Sequence, residues 1–484
     1  MRNLTLLTDL YELTMMQGHF KKNNNKKVIF DMFYRRNPFG GGYAVCCGLE
    51  QAIEYVRNLR FEKDDIEYLR STGKFDDDFL TYLEGFRFTG DIYAIPEGSV
   101  IFPREPMMKI IAPIDQAQLM ESALLNIVNH QCLIATKASR VVETAGKNNV
   151  MEFGLRRAQG PDAGIYGARA AVIAGCMGTS NVLAAKMFDM LPLGTHAHSW
   201  IMSFGSEYEA FKAYSEIYPD NCILLADTYD TLLSGVPNAI KVFTEMRDAG
   251  IKPKLYGIRL DSGDLAYLSK KAREMLDAAG FEDAIISASS DLDEHLIASL
   301  ISQGARIDSW GVGTNMITAK DNPAFGGVYK LAAIQNEKGE MIPTIKISEN
   351  VAKISDPGDK VIYRIYDDSG KIFADLIALA HEKYDEDTPL ELFDPNEPWK
   401  RTVLEPGHFR IKPLLVTVFK DGECVYESPG VDEIRSLREK ELDSIWEESK
   451  RLLNPHEVHV DLSQELYDLK QELLKNHSKK EFLH

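Results

Sequence analysis

The sequence lacks an excess of positive charge. Its 484 residues include 55 Lys and Arg against 73 Asp and Glu, which gives a formal net charge of -18. DNA, RNA and anionic membranes bind proteins through clustered cations that displace counterions. The composition therefore argues against nucleic acid or a membrane surface as a partner and favours a small molecule. An anionic small molecule remains compatible with it, because local Arg and Lys side chains can form a positive pocket inside an acidic protein.

Cysteine is scarce, and the six cysteines show neither a Cys-X-X-Cys pair nor a Cys/His spacing typical of a metal site. They stand in apolar or strand-like surroundings, which favours buried free thiols in a reducing compartment. The six are Cys46, Cys47, Cys132, Cys176, Cys222 and Cys424.

Long uninterrupted hydrophobic runs are also missing. The N-terminal segment carries Asp9 and Glu12 where a secretory signal needs an unbroken apolar region. The small and apolar stretch 164–188 is interrupted by Arg169 and Lys186, which a membrane span does not tolerate well. These interruptions predict a cytoplasmic protein without a signal peptide or a membrane span.

The chain is long enough, and with 44% hydrophobic residues apolar enough, for two domains or one elaborated barrel. Residues 149–335 alternate short apolar runs with amphipathic segments, a pattern typical of repeated βα units. Polar or glycine-containing segments follow several of these runs, and the carboxyl ends of barrel strands carry the chemistry of such folds. A parallel barrel or sheet with its functional loops on one face is therefore predicted. The predicted strands are 150–153, 175–177, 222–226, 255–259, 284–288, 308–312 and 328–334.

The flanking segments have a different pattern. Residues 1–148 mix strand-like and helical runs, which is typical of an α+β domain. Residues 336–484 are predicted to complete the sheet of that domain and to end in charged helices, with 434–453 presenting a solvated charged face. The N-terminal runs are strands 28–34, 90–95 and 108–112 and helices 49–59 and 118–128, and the C-terminal strands are 361–365, 372–378 and 414–419.

The sequence thus predicts an α/β fold in which an irregular (β/α) barrel, residues 149–335, packs against an α+β domain formed by residues 1–148 and 336–484. Within the barrel region, residues 264–279 have apolar positions at helical spacing and stop at Gly280.

The segment 258–264 ends a predicted strand and opens this helix. It offers Arg259, the carboxylates of Asp261 and Asp264, and backbone N–H groups at a helix start, a combination that suits a sugar phosphate. The alternative is a plain helix cap, with Arg259 merely paired to a carboxylate.

Two later turns contain many small residues. The segments 287–291 and 310–315 follow predicted strands and supply backbone N–H donors of the kind that cradle phosphate. Late strands of (β/α) barrels often form such a site. These turns together favour a phosphate-bearing substrate.

Two histidines, His196 and His198, stand in the segment 194–199. They are compatible with metal ligands, with a nucleophile or general base, or with polar core residues. Asp227, at the end of the next predicted strand, is in a position to hold the second nitrogen of a histidine. No HxxxH or HExxH spacing is present, which disfavours a metal site without excluding it.

Six collinear motifs resemble those of the nicotinate phosphoribosyltransferases, which belong to the type II phosphoribosyltransferases. The resemblance covers roughly residues 4–335 and is loose beyond 340. The motifs are TDLYELT at 8–14, PFGGGY at 38–43, EFGLRR at 152–157, GTS at 178–180, AHS at 197–199 and RLDSGD at 259–264.

The resemblance implies roles for the histidine segment and for two aromatic residues. His198 would be phosphorylated by ATP and Asp227 would orient it, with His196 a neighbour. Phe153 would cover one face of the pyridine ring and Tyr11 of the partner subunit the other. The active sites would then be shared in a homodimer.

The resemblance also implies a substrate-binding set. Arg156 and Arg259 would contact the phosphoribosyl substrate and the nicotinate carboxylate, and Asp261 would bind the ribose. Gly313 and Thr314 would form part of the 5'-phosphate site.

The implied reaction joins nicotinate to 5-phosphoribosyl 1-diphosphate, with ATP as co-substrate, in the salvage route to NAD. Mg2+ would be bound mainly through the diphosphate oxygens, which Arg35 and Lys137 would also face. The products would be nicotinate mononucleotide and diphosphate.

Ser180 is predicted to select the base. In relatives that use nicotinamide an aspartate takes this place, and a carboxylate there would repel nicotinate by about 4 kcal/mol at roughly 4 Å and an effective dielectric of about 20. A serine hydroxyl can instead donate to the nicotinate carboxylate. The alternative is that Ser180 only caps a helix at 180–187.

Three other functions are compatible with the residues. Nicotinamide or quinolinate can replace nicotinate as the base. A barrel lyase or a metal-dependent hydrolase can use His196, His198, Asp227 and Asp261. A sensor can bind the same ligands without turnover.

Overall fold

The computed structural model describes residues 3–147, 149–350 and 353–478. Its internal contacts divide them into two compact units. One unit holds the chain up to Leu133 and from Ala324 onward, and the other holds Ile134–Pro323. The boundaries predicted at 148/149 and 335/336 therefore lie 15 and 12 residues after those between the two units.

The N-terminal part of the first unit begins with a helix and a long strand. Its helices are α1 (Leu10–Lys21), α2 (Leu49–Arg57), α3 (Lys63–Ser71), α4 (Asp77–Glu84), α5 (Ile114–Leu119) and α6 (Glu121–Ala145), which runs across the boundary at 133/134, and its strands are β1 (Lys27–Tyr34), β2 (Ala44–Val45), β3 (Asp91–Ala94), β4 (Val100–Ile101) and β5 (Met108–Pro113). This segment therefore contains both helices and strands, and its assignment as an α+β domain stays a prediction.

The second unit alternates strands and helices. Its strands are β6 (Val150–Glu152), β7 (Asn221–Leu225), β8 (Leu255–Leu260), β9 (Ile285–Ala288) and β10 (Ser309–Val312), and its helices are α7 (Pro161–Ile173), α8 (Val182–Phe188), α9 (His198–Met202), α10 (Glu207–Ile217), α11 (Val236–Asp248), α12 (Leu265–Ala278), α13 (Glu294–Ser302) and α14 (Thr314–Ile317). The strands form one sheet in the order β6-β10-β9-β8-β7, and all neighbours are parallel. The predicted parallel sheet is confirmed, whereas closure into a barrel stays a prediction.

One strand predicted for this sheet is wrong. Residues 175–177 do not form a strand, because the backbone N–H groups of Gly175 and Cys176 still bond to carbonyls of α7 and Gly175 has a left-handed φ of 111°. The chain first bonds to the edge strand β6 at Met177, whose N–H donates to the carbonyl of Val150 at 2.8 Å, and Thr179 then makes isolated parallel bridges to Glu152 and Pro192.

The C-terminal part of the first unit contains most of its remaining strands. They are β11 (Gly327–Gln335), β12 (Met341–Pro343), β13 (Lys360–Asp367), β14 (Ile372–Leu379), β15 (Leu390–Phe393), β16 (Arg401–Leu404), β17 (Phe409–Pro413), β18 (Val416–Lys420), β19 (Glu423–Cys424) and β20 (His459–Leu462), with helices α15 (Val431–Ser444) and α16 (Gln464–Ser478).

The strand predicted at 328–334 as the last of the parallel sheet is β11, and that assignment is wrong. β11 pairs antiparallel with β1, from Val28 opposite Ile334 to Tyr34 opposite Gly327. Seven of the eight residues of β1 are buried, and a second strand, β5, covers its other edge. The first unit thus has a seven-stranded sheet in the order β12-β11-β1-β5-β3-β18-β19.

In the described residues the C-terminal strands divide among three sheets, one of which is the pair β15-β16. The strand predicted at 414–419 corresponds to β18 and joins the seven-stranded sheet through β3, as expected. The strands predicted at 361–365 and 372–378 correspond to β13 and β14, which instead form a separate sheet in the order β17-β13-β14-β20. This sheet has a core of its own, which includes Ile365 and Leu376.

The charged helix predicted at 434–453 is shorter and less solvated than expected. It ends at Ser444, after which Ile445 adopts an extended backbone. Two of its charged residues, Arg438 and Glu441, are almost completely buried. Glu441 lies 2.6 Å from the fully buried guanidinium of Arg364, because a cation buried this deeply needs carboxylate partners.

The cysteines are free and five of the six are buried, as predicted. In the ranges 3–147, 149–350 and 353–478 the helices are too short or too polar for a membrane crossing.

Candidate active site

A cavity of about 470 Å³ opens in the second unit at the carboxyl ends of its parallel strands. The loops after these strands were predicted to carry the chemistry, and they supply much of the wall. The wall is formed by Phe153, Arg156, Arg157, Ser180, Gly194, Thr195, His196, Ala197, His198, Arg259, Asp261, Ser289, Ser290, Asp291, Gly311, Gly313 and Thr314.

His198, the first residue of α9, is joined to a buried carboxylate. Its Nε2 lies 3.2 Å from Oδ1 of Asp227, which follows β7 and is 2% exposed. The other oxygen of Asp227 accepts hydrogen bonds from the backbone N–H of Asp261 at 2.9 Å and from the hydroxyl of Ser262 at 2.7 Å. Asp227 therefore connects His198 to the loop after β8.

His196 is packed as a core residue although its edge reaches the cavity. Its Nε2 accepts a hydrogen bond from the backbone N–H of Leu225 at 3.3 Å, and its ring meets Tyr214 edge-on at 4.7 Å. Burial, with the nearby charge of Arg259, lowers the pKa of His196 to about 4. His196 is therefore neutral at physiological pH. The described residues contain no group of three His, Cys, Asp or Glu side chains arranged to hold a metal ion.

Arg259 and Asp261 place opposite charges side by side at the end of β8. The Arg259 guanidinium donates to the hydroxyl of Thr195, and burial lowers the pKa of Arg259 against the opposing effect of Asp261. Asp261 accepts a hydrogen bond of 2.5 Å from the hydroxyl of Ser289. Asp264 caps α12, because its side chain accepts a hydrogen bond from the backbone N–H of Tyr267. The helix cap, which was the alternative role of this segment, therefore belongs to Asp264 and not to Asp261.

Phe153 is positioned by Gly311, which was predicted only as part of a turn that cradles phosphate. A Cβ atom at Gly311, on the neighbouring strand β10, would lie 2.7 Å from the Phe153 ring. Only glycine therefore lets the ring lie against this strand. The only sign of this close contact in the sequence was a glycine, Gly311, inside a predicted strand directly after Trp310.

Ser180 lines the cavity and does not cap the following helix, so the capping alternative is wrong. Asn181 is the cap of α8, since its side chain accepts a hydrogen bond from the backbone N–H of Ala184 at 3.1 Å. The backbone N–H of Ser180 donates to the carbonyl of Glu152 at 2.9 Å. This bond holds the serine next to the end of β6.

The two turns predicted to cradle phosphate lie together at the cavity wall. Asn315 joins them, because its side-chain amide donates to the carbonyls of Asp291 at 2.9 Å and Leu292 at 3.3 Å. Ser290 has a φ of 127°, a backbone conformation unfavourable for a serine. Gly313 precedes the short helix α14, whose first residue is Thr314.

Four residues of the predicted set do not line this cavity, and one of them is Asp227, which reaches it only through His198. Lys137 is buried and pairs with Glu294 at 2.7 Å. Arg35 and Tyr11 belong to the other unit, and Tyr11 is 47% exposed on α1. Arg157, which received no role from the sequence, does line the cavity.

Comparisons with known proteins cover nearly the whole chain. A family model described as the nicotinate phosphoribosyltransferase N-terminal domain matches residues 6–129. The model of the nicotinate phosphoribosyltransferase family matches residues 148–385, and that of the C-terminal domain matches residues 359–470.

Individual relatives give the same result. The chain is 48% identical over 470 residues to a nicotinate phosphoribosyltransferase of Bacillus subtilis (strain 168), covering 97% of this chain and 94% of the relative. It is 35% identical over 520 residues to one of Dictyostelium discoideum, covering 96% and 87%. The crystal structure of human nicotinic acid phosphoribosyltransferase matches with a TM-score of 0.83 at 28% identity, covering 96% of this chain and 99% of that one.

Proposed function

The chain belongs to the nicotinate phosphoribosyltransferase family, and we propose that it joins nicotinate to 5-phosphoribosyl 1-diphosphate with coupled hydrolysis of ATP, in the salvage route to NAD. The observation that carries this proposal is one cavity that brings together an aromatic ring, a serine hydroxyl, three arginines and a histidine–aspartate pair. The ring and the serine suit an aromatic carboxylate, the arginines suit a phosphorylated sugar, and the histidine suits a phosphoryl group.

The base lies against Phe153, with its carboxylate toward Ser180. The ring of Phe153 offers a flat apolar surface, and the serine hydroxyl can donate to an anion. The freedom of Ser180 from helix capping supports this role, since Asn181 performs the capping. Nicotinate is favoured over nicotinamide because the cavity supplies the cations Arg156, Arg157 and Arg259.

The phosphorylated sugar lies between the loops after β8, β9 and β10. Asp261 accepts hydrogen bonds from ribose hydroxyls, and the backbone around Gly313 and Thr314 donates to the 5'-phosphate. The amide of Asn315 supports this role by holding the loops after β9 and β10 in fixed relation.

The residues at the cavity fit a magnesium ion that is held mainly by its substrate. The described residues contain no three-ligand cluster, whereas the carboxylates of Asp261 and Asp291 line the cavity. Mg2+ prefers one or two carboxylates together with phosphate oxygens and water. When bound with diphosphate, the ion neutralises charge on the leaving group.

The transfer needs no protein nucleophile on the sugar. The pyridine nitrogen attacks C1 as the bond from C1 to the diphosphate oxygen breaks, and the electron pair of that bond leaves with the diphosphate. Positive charge develops on the ribose, as in glycoside chemistry. The carboxylate of Asp261 stabilises that charge, and the arginines receive the departing diphosphate.

His198 carries the phosphoryl group on Nδ1. Asp227 accepts two hydrogen bonds on Oδ2, so it is an acceptor for the Nε2–H of His198 on Oδ1. The neutral imidazole then has its lone pair on Nδ1, which attacks the γ-phosphorus of ATP and displaces ADP. The positive ring that results is stabilised by Asp227. Water later cleaves the phosphorus–nitrogen bond and regenerates the histidine.

The enzyme is a homodimer in which the partner completes the base site. α1 and the segment before it expose a row of apolar side chains that single proteins rarely leave in water. Exposed apolar side chains of α8 and its C-terminal flank form a second such row. The first row is Leu7, Leu10, Tyr11 and Met15, and the second is Val182, Leu183, Met187 and Leu191. Pairing of these rows between copies would bring Tyr11 of the partner subunit to the open face of the base.

One assay tests the proposal. Purified protein is incubated with 5-phosphoribosyl 1-diphosphate, Mg2+ and either nicotinate, nicotinamide or quinolinate, with and without ATP, and mononucleotide and ADP are quantified by chromatography. We expect nicotinate to be used best and ATP to stimulate the reaction. Preference for nicotinamide or quinolinate, or the absence of turnover with any base, would contradict the proposal.

A further inference from the structure

We propose that Glu152 is a positioning residue that fixes the distance between the Phe153 ring and the Ser180 hydroxyl and thereby sets the affinity for the base. This inference rests on the proposed function, because it assigns the base to that part of the cavity. Glu152 does not line the cavity itself, and the reaction described above does not use it.

The carboxylate of Glu152 is completely buried, yet both of its oxygens have partners. Oε1 accepts from the backbone N–H of Gly154, and Oε2 accepts from the hydroxyl of Thr179 at 2.5 Å. Burial raises the pKa of Glu152, and the bonds from Thr179 and Gly154 oppose this rise. Burial of a carboxylate costs folding free energy, and these two hydrogen bonds offset part of that cost.

Backbone hydrogen bonds of Glu152 also join the end of β6 to the segment that contains Thr179 and Ser180. Its N–H donates to the carbonyl of Gly178 at 3.0 Å, and its carbonyl accepts from the N–H of Ser180 at 2.9 Å. Phe153 in turn donates its N–H to Val312 at 2.8 Å. Of the two residues proposed to flank the base, Phe153 therefore lies between Glu152 and the bonded Gly154, and Ser180 is itself bonded to Glu152.

Thr179 carries the connection onward into the next helix. Its hydroxyl donates to Glu152 and accepts from the backbone N–H of Asn181 at 2.9 Å, and Asn181 caps α8. A continuous chain of hydrogen bonds thus runs from the loop after β6 through Glu152 and Thr179 to the start of α8. Ser180 stands in the sequence between Thr179 and Asn181, the last two residues of this hydrogen-bond chain.

A glutamine cannot replace Glu152 without loss. Its amide keeps the shape of the carboxylate but offers one oxygen acceptor and one NH2 donor. The NH2 must face either the N–H of Gly154, which is a donor, or the hydroxyl of Thr179. In the first orientation the bond to Gly154 is lost, and in the second the bond to Thr179 is reversed and leaves the hydroxyl hydrogen of Thr179 without an acceptor.

The experiment compares Glu152→Gln and Thr179→Val with wild type. We expect Glu152→Gln to raise the KM for nicotinate about tenfold, the cost of one buried polar group left without a partner, and Thr179→Val to raise it at least as much, because it removes the bonds to both Glu152 and Asn181. The KM for 5-phosphoribosyl 1-diphosphate should change much less. Thr179→Ser, which keeps the hydroxyl, should restore the wild-type KM for nicotinate. The double variant should be less than additive, because both changes break the same chain.

Two controls separate this role from folding and from the proposed function. Glu274→Gln makes the same chemical change on the exposed side of α12 and should alter neither KM. Thermal unfolding of every variant is recorded, and the Thr179→Val and Thr179→Ser pair decides the matter if Glu152→Gln fails to fold.

Two results would overturn the inference. One is an unchanged KM for nicotinate in Thr179→Val, and the other is an equal rise in the KM of both substrates. Failure of the proposed function would look different, because the wild-type protein itself would then form no mononucleotide. Calorimetric titration of nicotinate into each variant still measures the role of Glu152 in that case, and equal affinities would overturn the inference.

Discussion

Asp227 connects the histidine to the proposed sugar site, because its two carboxylate oxygens bond to different partners. One oxygen holds His198, and the other binds the backbone of Asp261 and the hydroxyl of Ser262. A change in the charge of His198 is therefore felt at the loop that we propose binds ribose. Phosphorylation changes charge and hydrogen bonding in this way.

Changing His198 to Ala should abolish stimulation by ATP and leave a weak transfer that does not depend on ATP. The groups that hold the base and the phosphorylated sugar remain, whereas the atom that accepts the phosphoryl group is lost. Mononucleotide formation with and without ATP measures this, with the exposed His381→Ala as the matched control. Stimulation by ATP that is undiminished in His198→Ala would remove this histidine from the assigned role.

Changing Ser180 to Asp should reverse the choice of base. The new carboxylate would repel nicotinate by about 4 kcal/mol at roughly 4 Å in a partly screened site and would accept a hydrogen bond from the amide of nicotinamide. Comparison of kcat/KM for the two bases tests this. Ser180→Ala removes only the donor and should weaken nicotinate without favouring nicotinamide. If Ser180→Asp still prefers nicotinate, another residue selects the base.

Protonation of His196 should make stability depend on pH. Burial lowers the pKa of His196 to about 4, whereas the unfolded chain protonates this ring near pH 6.5. The unfolded state therefore binds the proton more readily between these values. Above about pH 6.5 the ring is neutral in both states, and its contribution to the free energy of unfolding is fully present. As the pH falls toward 4, the unfolded state takes up the proton first, and the free energy of unfolding falls by at most about 3 kcal/mol.

Denaturant unfolding of wild type and of His196→Gln between pH 4 and 7 measures this effect. The glutamine oxygen can still accept from Leu225, so it replaces the hydrogen bond without a titrating group. We expect a smaller fall in unfolding free energy at low pH in the variant. Parallel curves for the two proteins would show that His196 does not cause the dependence.

At the scale of helices and strands, local patterns predict most of the elements around the site. The helix predicted at 264–279 is observed as α12, because its apolar spacing and its cap at Asp264 are both local. The segment 175–177 looks like a strand in composition, but hydrogen bonds to α7 hold it in a turn. Which strand pairs with which is decided by distant residues, so the place of β11 beside β1 was not visible in the sequence.

Changing Asn181 to Ala should destabilise the start of α8. The cap contributes about 1 kcal/mol, and the Asn181 side chain also donates to the carbonyl of Gly164 at 3.0 Å. Urea unfolding should show a loss of about 1 to 2 kcal/mol in unfolding free energy. Asn181→Asp keeps the cap acceptor and should lose less. A comparable loss in Ser180→Ala would assign the cap to Ser180 instead.

At the scale of the whole chain, the sequence motifs identify the family, and the cavity collects most of the residues that they single out. The exceptions are Tyr11, Arg35, Lys137 and Asp227, which is bonded to His198. Lys137 is buried against Glu294, a pairing between residues far apart in the sequence that no local pattern reveals. Tyr11 is exposed on α1, and its contact with a second copy of the chain stays a prediction.

Mixing two variants that are each impaired in ATP-stimulated transfer should restore that activity if the sites are shared. In a heterodimer of His198→Ala and Tyr11→Ala, one site has both changes and the other has neither. Random reassociation makes half of the dimers mixed, so about a quarter of the sites should be intact. ATP-stimulated product formation after co-refolding measures this, with each variant refolded alone as the control. No gain over the separate variants would place Tyr11 outside a shared site.

The pairing of β1 with β11 has a consequence for synthesis on the ribosome. Tyr34 emerges early, but its partner Gly327 belongs to a strand that lies beyond the whole second unit. At about 5 to 20 residues per second, roughly 15 to 60 s separate the two strands. During that time one edge of β1 offers unpaired N–H and C=O groups to any neighbouring nascent chain. Chaperone demand during translation should therefore peak before β11 appears, and slowing elongation within residues 134–323 should increase aggregation of the nascent protein.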